Sequence, residues 1–212
     1  MRDVQMFATI ARAVFILSVH PSVPAQSVEE FVQLARSKPG AIAYGTSGVG
    51  SPHHLAMEMF AQANGLELLH VPFKGSSDTV AALLAGTLQS AMGLPSSFAP
   101  HVRSGKFRAL AVTSPKRSAG FPDIPALPER KVAPIEYESW WGMFAPRGTP
   151  AAILSRINAD IGQFMKAPDM QEKYTALGLF TRAGTPEQVL DTIKAGMAEM
   201  REIVKAAGIQ PE

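Results

Sequence analysis

A glycine-rich stretch from Ala43 to Leu55 (AYGTSGVGSPHHL) constrains the fold of this chain more than any other segment. It predicts a strand that passes through a tight turn into a helix, because its glycines permit backbone angles that other residues avoid. Ser51 is a preferred N-cap residue, and Pro52 suits the first helical position, where its missing N–H is not needed. Unpaired N–H groups of a first helical turn attract anions. The segment therefore predicts a site for a carboxylate or a phosphate.

The residues around these glycines depart from three known glycine loops. The spacing G-x-x-x-x-G matches a nucleotide phosphate loop, but Ser51 occupies the position of the phosphate-binding lysine, so a nucleoside triphosphate is not expected. His53 stands at the third glycine position of the dinucleotide fingerprint. Val49 stands where a nucleophile elbow around Ser47 needs a glycine. A tight turn without a ligand remains the alternative, and the Ser, Thr and His residues beside the glycines favour binding.

Composition excludes several classes of protein. With 212 residues, 46% of them hydrophobic and 18% charged, the chain is expected to be globular and ordered. A net charge of +2 without a basic run gives no footprint for nucleic acid. The chain has no cysteine, so disulfides, thiolate metal sites and cysteine nucleophiles are excluded. Neither a metal nor a cofactor is expected, since the adjacent His53 and His54 point in different directions on a helix.

The N-terminal segment resembles a signal peptide in part. An apolar stretch from Met6 to Val19 precedes the small-residue motif Val-Pro-Ala at 23–25, but Arg12 interrupts it. We prefer an interior strand at 14–19, followed by a helix that Ser27 caps and whose Glu30 completes a capping box. No stretch is long enough to span a bilayer.

Short apolar runs alternate with helical patterns, which predicts an α/β fold with a mainly parallel sheet. A proline-rich segment from 115 to 134 breaks this alternation. Beyond it we expect a strand at 137–145 and two helices with apolar stripes that form core. The helices are predicted at 27–37, 52–64, 77–85 and 95–104 and after Pro150 and Pro186, and the remaining strands at 41–44, 68–71, 88–92 and 109–113.

Several segments together resemble one family, the substrate-binding proteins of tripartite tricarboxylate transporters, also called the Bug family. The matching segments are HPSVPAQS (20–27), YGTSGVGSPHHL (44–55), HVPFKG (70–75), GKFRALAVT (105–113), FPDIP (121–125), SWWG (139–142) and APRGTP (145–150). The resemblance covers nearly the whole chain, and the order of the segments is more specific than any one motif. It implies a periplasmic receptor that closes two lobes on a small organic acid and delivers it to a membrane permease.

The resemblance also implies how the chain is organised. It assigns residues 1–19 to a remnant of the first lobe and a crossing strand, and 20–140 to the ligand-binding second lobe with the proline-rich crossing. Residues 141–212 are assigned to the C-terminal part of the first lobe, within a type II periplasmic-binding-protein fold whose first lobe is incomplete. Family members carry roughly a hundred further N-terminal residues, so the chain is expected to be truncated and to expose sheet edge and apolar helix faces.

The resemblance implies which residues bind the ligand. They are Thr46, Ser47, Gly48, Gly50, Ser51 and His54, which would contribute hydroxyl groups, main-chain N–H groups and an imidazole. A helix cap is the alternative role of Ser51, and a hydrogen bond within the loop is that of His54. Two other functions stay open: an enzyme on a similar scaffold, which would need a nucleophile paired with a base, and the ligand-sensing domain of a regulator, which would need a helix-turn-helix segment.

Overall fold

The computed structural model describes residues 3–180, 196–197, 200–201 and 203–205, and it contains two sheets. The elements in chain order are β1 (Val4–Val14), β2 (Ile16–Val19), α1 (Val28–Ser37), β3 (Ala43–Thr46), α2 (Pro52–Asn64), β4 (Leu69–Pro72), α3 (Ser76–Leu84), β5 (Ser90–Gly93), α4 (Pro95–Arg103), β6 (Arg108–Val112), β7 (Glu138–Pro146), α5 (Ala151–Met165), α6 (Pro168–Ala176) and β8 (Leu179–Phe180). The α/β class is confirmed, and the predicted elements up to β6 lie within a few residues of the observed ones.

The larger sheet has five strands in the order β4-β3-β5-β2-β6. Strand β3 pairs parallel to both β4 and β5, whereas β2 pairs antiparallel to β5 and β6. The prediction of a mainly parallel sheet therefore needs correction, because β2 runs against its neighbours. The carboxyl ends of the other four strands lie together at one edge, and in open α/β sheets ligands bind beside such an edge.

Two apolar clusters cover the two faces of this sheet. Phe31 of α1 and Phe60 of α2 pack on one face, and Leu83 of α3 and Phe98 of α4 pack on the other. Ser27 caps α1 by accepting from the Glu30 N–H at 3.2 Å, while the Glu30 carboxylate accepts from Gln26 rather than from Ser27 itself. Helix α1 thus begins where its capping residue predicts.

The predicted single strand at 14–19 is divided between the two sheets. Strand β1 belongs to a three-stranded antiparallel sheet of order β7-β1-β8, and β2 belongs to the larger sheet. Phe15 lies between them and is fully buried. Its N–H donates to the Thr113 hydroxyl at 2.9 Å, and its carbonyl accepts from the Thr113 N–H at 3.0 Å. The crossing between the sheets is therefore anchored to the end of β6.

The prediction that the apolar stripe of α5 forms core was wrong, whereas the exposed apolar helix face that the family resemblance implies is present. Ile153 is 50% exposed, Ile157 37% and Phe164 58%, although their spacing predicts a core face. No described element covers that face, so the stripe stays at the surface. The start predicted for the last helix, at 184–186, lies outside the described residues. Among the described helices, none is both long enough and apolar enough to cross a membrane.

Candidate functional site

The glycine-rich turn, residues 47–51, lies between the carboxyl end of β3 and the first residue of α2. Gly48 has φ of 122° and Gly50 has φ of 70°, and residues with a side chain rarely adopt such angles. The Ser51 hydroxyl accepts from the His54 N–H at 3.3 Å and caps the helix. The strand, turn and helix that the sequence predicts are therefore all present.

The side chains of the turn are bonded within it. The Thr46 hydroxyl donates to the Gly48 carbonyl at 3.1 Å and accepts from the Gly48 N–H at 3.3 Å. The Ser47 hydroxyl lies 2.9 Å from Nδ1 of His53. The hydroxyls of Thr46, Ser47 and Ser51 thus hold the conformation of the turn, and their role as ligand contacts stays a prediction.

Main-chain donors remain available on the turn. Within residues 3–180, the N–H groups of Ser47, Val49 and His53 donate to no protein acceptor. Ser47 is half-buried and Val49 is 43% exposed, so this part of the turn lies at the surface. Such donors at the positive end of a helix can bind a carboxylate without a full countercharge.

The rings of Tyr44, His54 and His70 are stacked next to the turn, and we call them the aromatic stack. The rings of His54 and His70 are 3.8 Å apart at 10°, and those of Tyr44 and His70 are 4.9 Å apart at 21°. Nδ1 of His54 accepts from the Gly50 N–H at 3.0 Å, and Nε2 of His70 lies 2.7 Å from the Thr46 hydroxyl. The stack therefore contacts both ends of the turn.

Burial and neighbouring charges shift the titration of the aromatic stack. Burial, with a smaller contribution from the charge of His54, lowers the pKa of His70 to about 4. Burial also lowers the pKa of His54, against the opposing effect of Glu58, whose carboxylate lies 3.9 Å from Nε2. Burial and a hydrogen bond donated to Glu58 raise the pKa of the Tyr44 hydroxyl. All three rings are therefore uncharged at neutral pH.

His53 faces away from the stack. Its ring meets Phe15 edge-on at 5.2 Å, and burial lowers its pKa. Among the described residues, no acidic group orients the Ser47–His53 pair, and no group of three or more His, Cys, Asp or Glu side chains is placed to hold a metal ion. The pair therefore has no third member of a hydrolytic triad.

Tyr44, Glu58 and His70 were not among the site residues predicted from the sequence. A local signal exists for one contact, because His54 and Glu58 are four residues apart on a helix and share a face. Tyr44 and His70 are neighbours only through the register of β3 and β4. Their partnership follows from strand pairing, which the sequence alone does not specify.

A concave feature lies at the junction of the two sheets. It is a cavity of about 300 Å³ lined by residues 114–120, 175 and 178–180, together with Val14 and Glu138. Glu138 is paired with Arg12 at 3.0 Å, and Arg117 is paired with Glu129 at 2.8 Å. No residue of the glycine turn lines this cavity.

Comparison with known proteins gives consistent matches. The model of a family described as "Tripartite tricarboxylate transporter family receptor" matches residues 1–209. A "UPF0065 protein in tcbD-tcbE intergenic region" of Pseudomonas sp. (strain P51) is 34% identical over 187 residues, which are 86% of this chain and 56% of that protein. The chain thus spans little more than half the length of this relative.

Solved structures agree with the sequence matches. "R. palustris Rpa4515 with adipate" superimposes with a TM-score of 0.91 at 32% identity, covering 99% of this chain and 70% of that one. "Structure of periplasmic binding protein BugD" superimposes with a TM-score of 0.86 at 25% identity, covering 99% and 71%. The α/β fold of this chain is therefore that of periplasmic solute-binding proteins.

Proposed function

Because the chain belongs to the tripartite tricarboxylate transporter receptor family, which includes the Bug proteins, we propose that it binds a small organic acid. The observation that carries this proposal is the set of free main-chain N–H groups at Ser47 and Val49 of the glycine turn and at His53 in the first turn of α2. They lie at the start of a helix and at the carboxyl edge of parallel strands, where we expect one carboxylate group to bind.

A relative solved with adipate indicates the class of ligand. The R. palustris protein, 32% identical to this chain, was solved with that dicarboxylate. We propose a ligand of the same class, received outside the cytoplasm and passed to a membrane permease without chemical change. The family assignment supports the location and the permease, and the lack of an acidic partner for the Ser47–His53 pair, in the part of the chain that the structure describes, supports binding without catalysis.

The affinity expected for this chain is low. A charge-assisted hydrogen bond contributes about 1.5–3 kcal/mol, and a dissociation constant of 1 mM corresponds to about 4 kcal/mol. The cost of immobilising the ligand offsets much of what two or three donors on one side of it contribute, so we expect millimolar binding. Solute receptors gain the remainder by enclosing the ligand from both sides, and this chain spans 70% of the R. palustris protein.

A titration with adipate, followed by amide NMR on the full chain, tests the proposal. We expect the N–H resonances of Ser47, Val49 and His53 to shift and to saturate at millimolar adipate, and the neutral diamide of adipate to leave them unchanged. Shifts produced by ATP and not by adipate would overturn the proposal. Adipate shifts confined to residues 114–120, which line the cavity at the junction of the two sheets, would also overturn it.

Two glycines provide a matched pair of variants. Gly50 and Gly105 both have φ of 70°, and a Cβ atom at either position meets nothing within 4 Å. Either change to alanine therefore introduces the same backbone strain, of about 1–2 kcal/mol. We expect only Gly50→Ala to weaken adipate binding, by about tenfold, which corresponds to the loss of about 1.4 kcal/mol. Equal effects of Gly50→Ala and Gly105→Ala would show that the turn has no part in binding.

A further inference from the structure

Each half of the glycine turn is tied to one histidine of the aromatic stack. Gly50 donates its N–H to Nδ1 of His54 at 3.0 Å. The Thr46 hydroxyl, which bonds both the N–H and the carbonyl of Gly48, lies 2.7 Å from Nε2 of His70. The two rings are stacked at 3.8 Å, so a displacement of either ring disturbs the other.

The hydrogen bonds assign protons to the two rings. Nδ1 of His54 must carry no proton, because it accepts from Gly50, so the proton of the neutral ring is on Nε2, towards Glu58. The Thr46 hydroxyl uses its one hydrogen for the Gly48 carbonyl, so Nε2 of His70 donates to it. The bond from Gly50 therefore requires a neutral His54 ring, whereas the bond from Nε2 of His70 forms in either protonation state, and burial keeps that ring neutral.

We propose that His54 and His70 are positioning residues for the acid site put forward above, holding the turn so that its free N–H groups face the ligand. His54 is only 5% exposed, and the nitrogen on its turn side is already occupied by Gly50. It therefore acts on a ligand through the turn rather than by contact. This inference rests on the proposed function only for the identity of what binds.

A proton on the stack would release the turn. An N–H at Nδ1 of His54 would face the N–H of Gly50, and two charged rings at 3.8 Å would repel each other. The other titratable groups here are Glu58 and His53 on α2 and Tyr44 on β3. Glu58 attracts the added charge, whereas the burial of the rings opposes it.

The direction of the pH effect follows from the lowered pKa of each ring. His70 titrates at about 4 in the folded protein, against an ordinary value of 6.5, and the pKa of His54 is also lowered. Between pH 4 and pH 6.5, the two rings therefore bind fewer protons when the turn is intact than when it is open. The intact turn is fully stable above pH 6.5 and loses stability as the pH falls towards 4.

Hydrogen exchange of the Gly50 amide in the full chain tests this inference, with protection expressed relative to the intrinsic exchange rate at each pH. We expect the protection of the Gly50 amide to be lower at pH 5 than at pH 7. The decrease should be about tenfold for each 1.4 kcal/mol of stability that the intact turn loses. His54→Asn retains an acceptor for Gly50 and does not titrate, so together with His70→Gln it should give a protected amide and a flat profile. His54→Leu should lose protection at both pH values. His101→Gln, half-buried on α4 against Phe107 and remote from the turn in sequence, is the control and should behave as the unmodified chain.

Adipate titrations of the same variants separate this inference from the proposed function. If adipate binds and His54→Leu binds it as tightly as the unmodified chain, the positioning role is wrong and the function stands. If no variant binds adipate while Gly50 protection follows the expected pH profile, the function is wrong and the role of the histidines in holding the turn stands. If His54→Leu fails to fold, the double variant His54→Asn/His70→Gln decides by itself. A pH profile equal to that of the unmodified chain would overturn the inference.

Discussion

The two sheets of this protein differ in how well they bury similar apolar patterns. The largest fully buried side chains belong to the segment from Phe15 to Leu127, which builds the five-stranded sheet and its helices. Most of the large exposed apolar side chains belong to β7 and the segments after it: Trp140, Trp141, Met143, Phe144, Ile153, Ile157, Phe164, Leu177 and Phe180. An apolar stripe therefore predicts burial only where another element is available to cover it.

The glycine turn lies on the better packed side of this comparison. It follows β3, whose neighbours on both faces are the two apolar clusters, and it is supported by the buried aromatic stack. A rigid scaffold below a surface turn fixes where its N–H groups point, which a ligand site requires. The three-stranded sheet leaves large apolar side chains exposed instead.

The largest difference between the two regions is expected from removing a phenyl ring. Phe60 is fully buried against Phe31, and Phe60→Ala should lower the free energy of unfolding by about 3–5 kcal/mol. Phe164 is 58% exposed, and Phe164→Ala should change it by no more than about 0.5 kcal/mol. Chemical denaturation measures both. A similar loss for the two variants would show that the face of α5 is covered in solution and would remove the contrast.

Glycine substitutions test the same difference in packing between the two regions, with smaller expected effects. A Cβ atom at Gly45 of β3 would lie 2.9 Å from the Thr79 side chain and closer still to Leu88, so Gly45→Ala should destabilise the fold by about 1–3 kcal/mol. Nothing lies within 4 Å of a Cβ atom at Gly162 of α5, so Gly162→Ala should stabilise it by about 0.5–1 kcal/mol. Thermal unfolding gives both signs. Destabilisation by Gly162→Ala would indicate a contact on α5.

The smallest effect is expected from two ion pairs. Glu29 accepts from Arg130 at 2.7 Å and from the Lys131 N–H at 3.0 Å, whereas Arg156 and Asp160 are paired on the exposed side of α5. Glu29→Gln should lower stability by about 1 kcal/mol at pH 7, and Asp160→Asn by no more than about 0.5 kcal/mol. Urea denaturation at matched ionic strength provides the measurement.

The pH dependence of the first ion pair has a definite sign. The Arg130 hydrogen bond lowers the pKa of Glu29 from 4.5 to about 2. The pair therefore contributes fully above pH 4.5, and its contribution is lost as the pH falls towards 2. The difference between Glu29→Gln and the unmodified chain should disappear over this range. A difference that persists at pH 2 would contradict the assignment of the effect to the charged pair.

Local structure in this protein can be predicted from its residues. Glycines at 48 and 50, the cap at Ser51 and the proline at 52 specify the turn and the start of α2, and the structure places α2 at the predicted residues. Signals of this kind act within one or two turns of chain, because a capping hydroxyl or a positive φ concerns only neighbouring peptide groups. The α/β class and the position of the turn could therefore be predicted from the residues alone.

The tertiary structure decided which distant groups meet. Tyr44 and His70 come together through the register of β3 and β4, and the division of 14–19 between two sheets depends on Phe15 bonding to Thr113, 98 residues away. The exposure of α5 was likewise beyond the reach of its 3.6-residue periodicity, which states what a helix face offers and not what covers it. Burial is a property of two surfaces, so it is settled only when the chain brings both together.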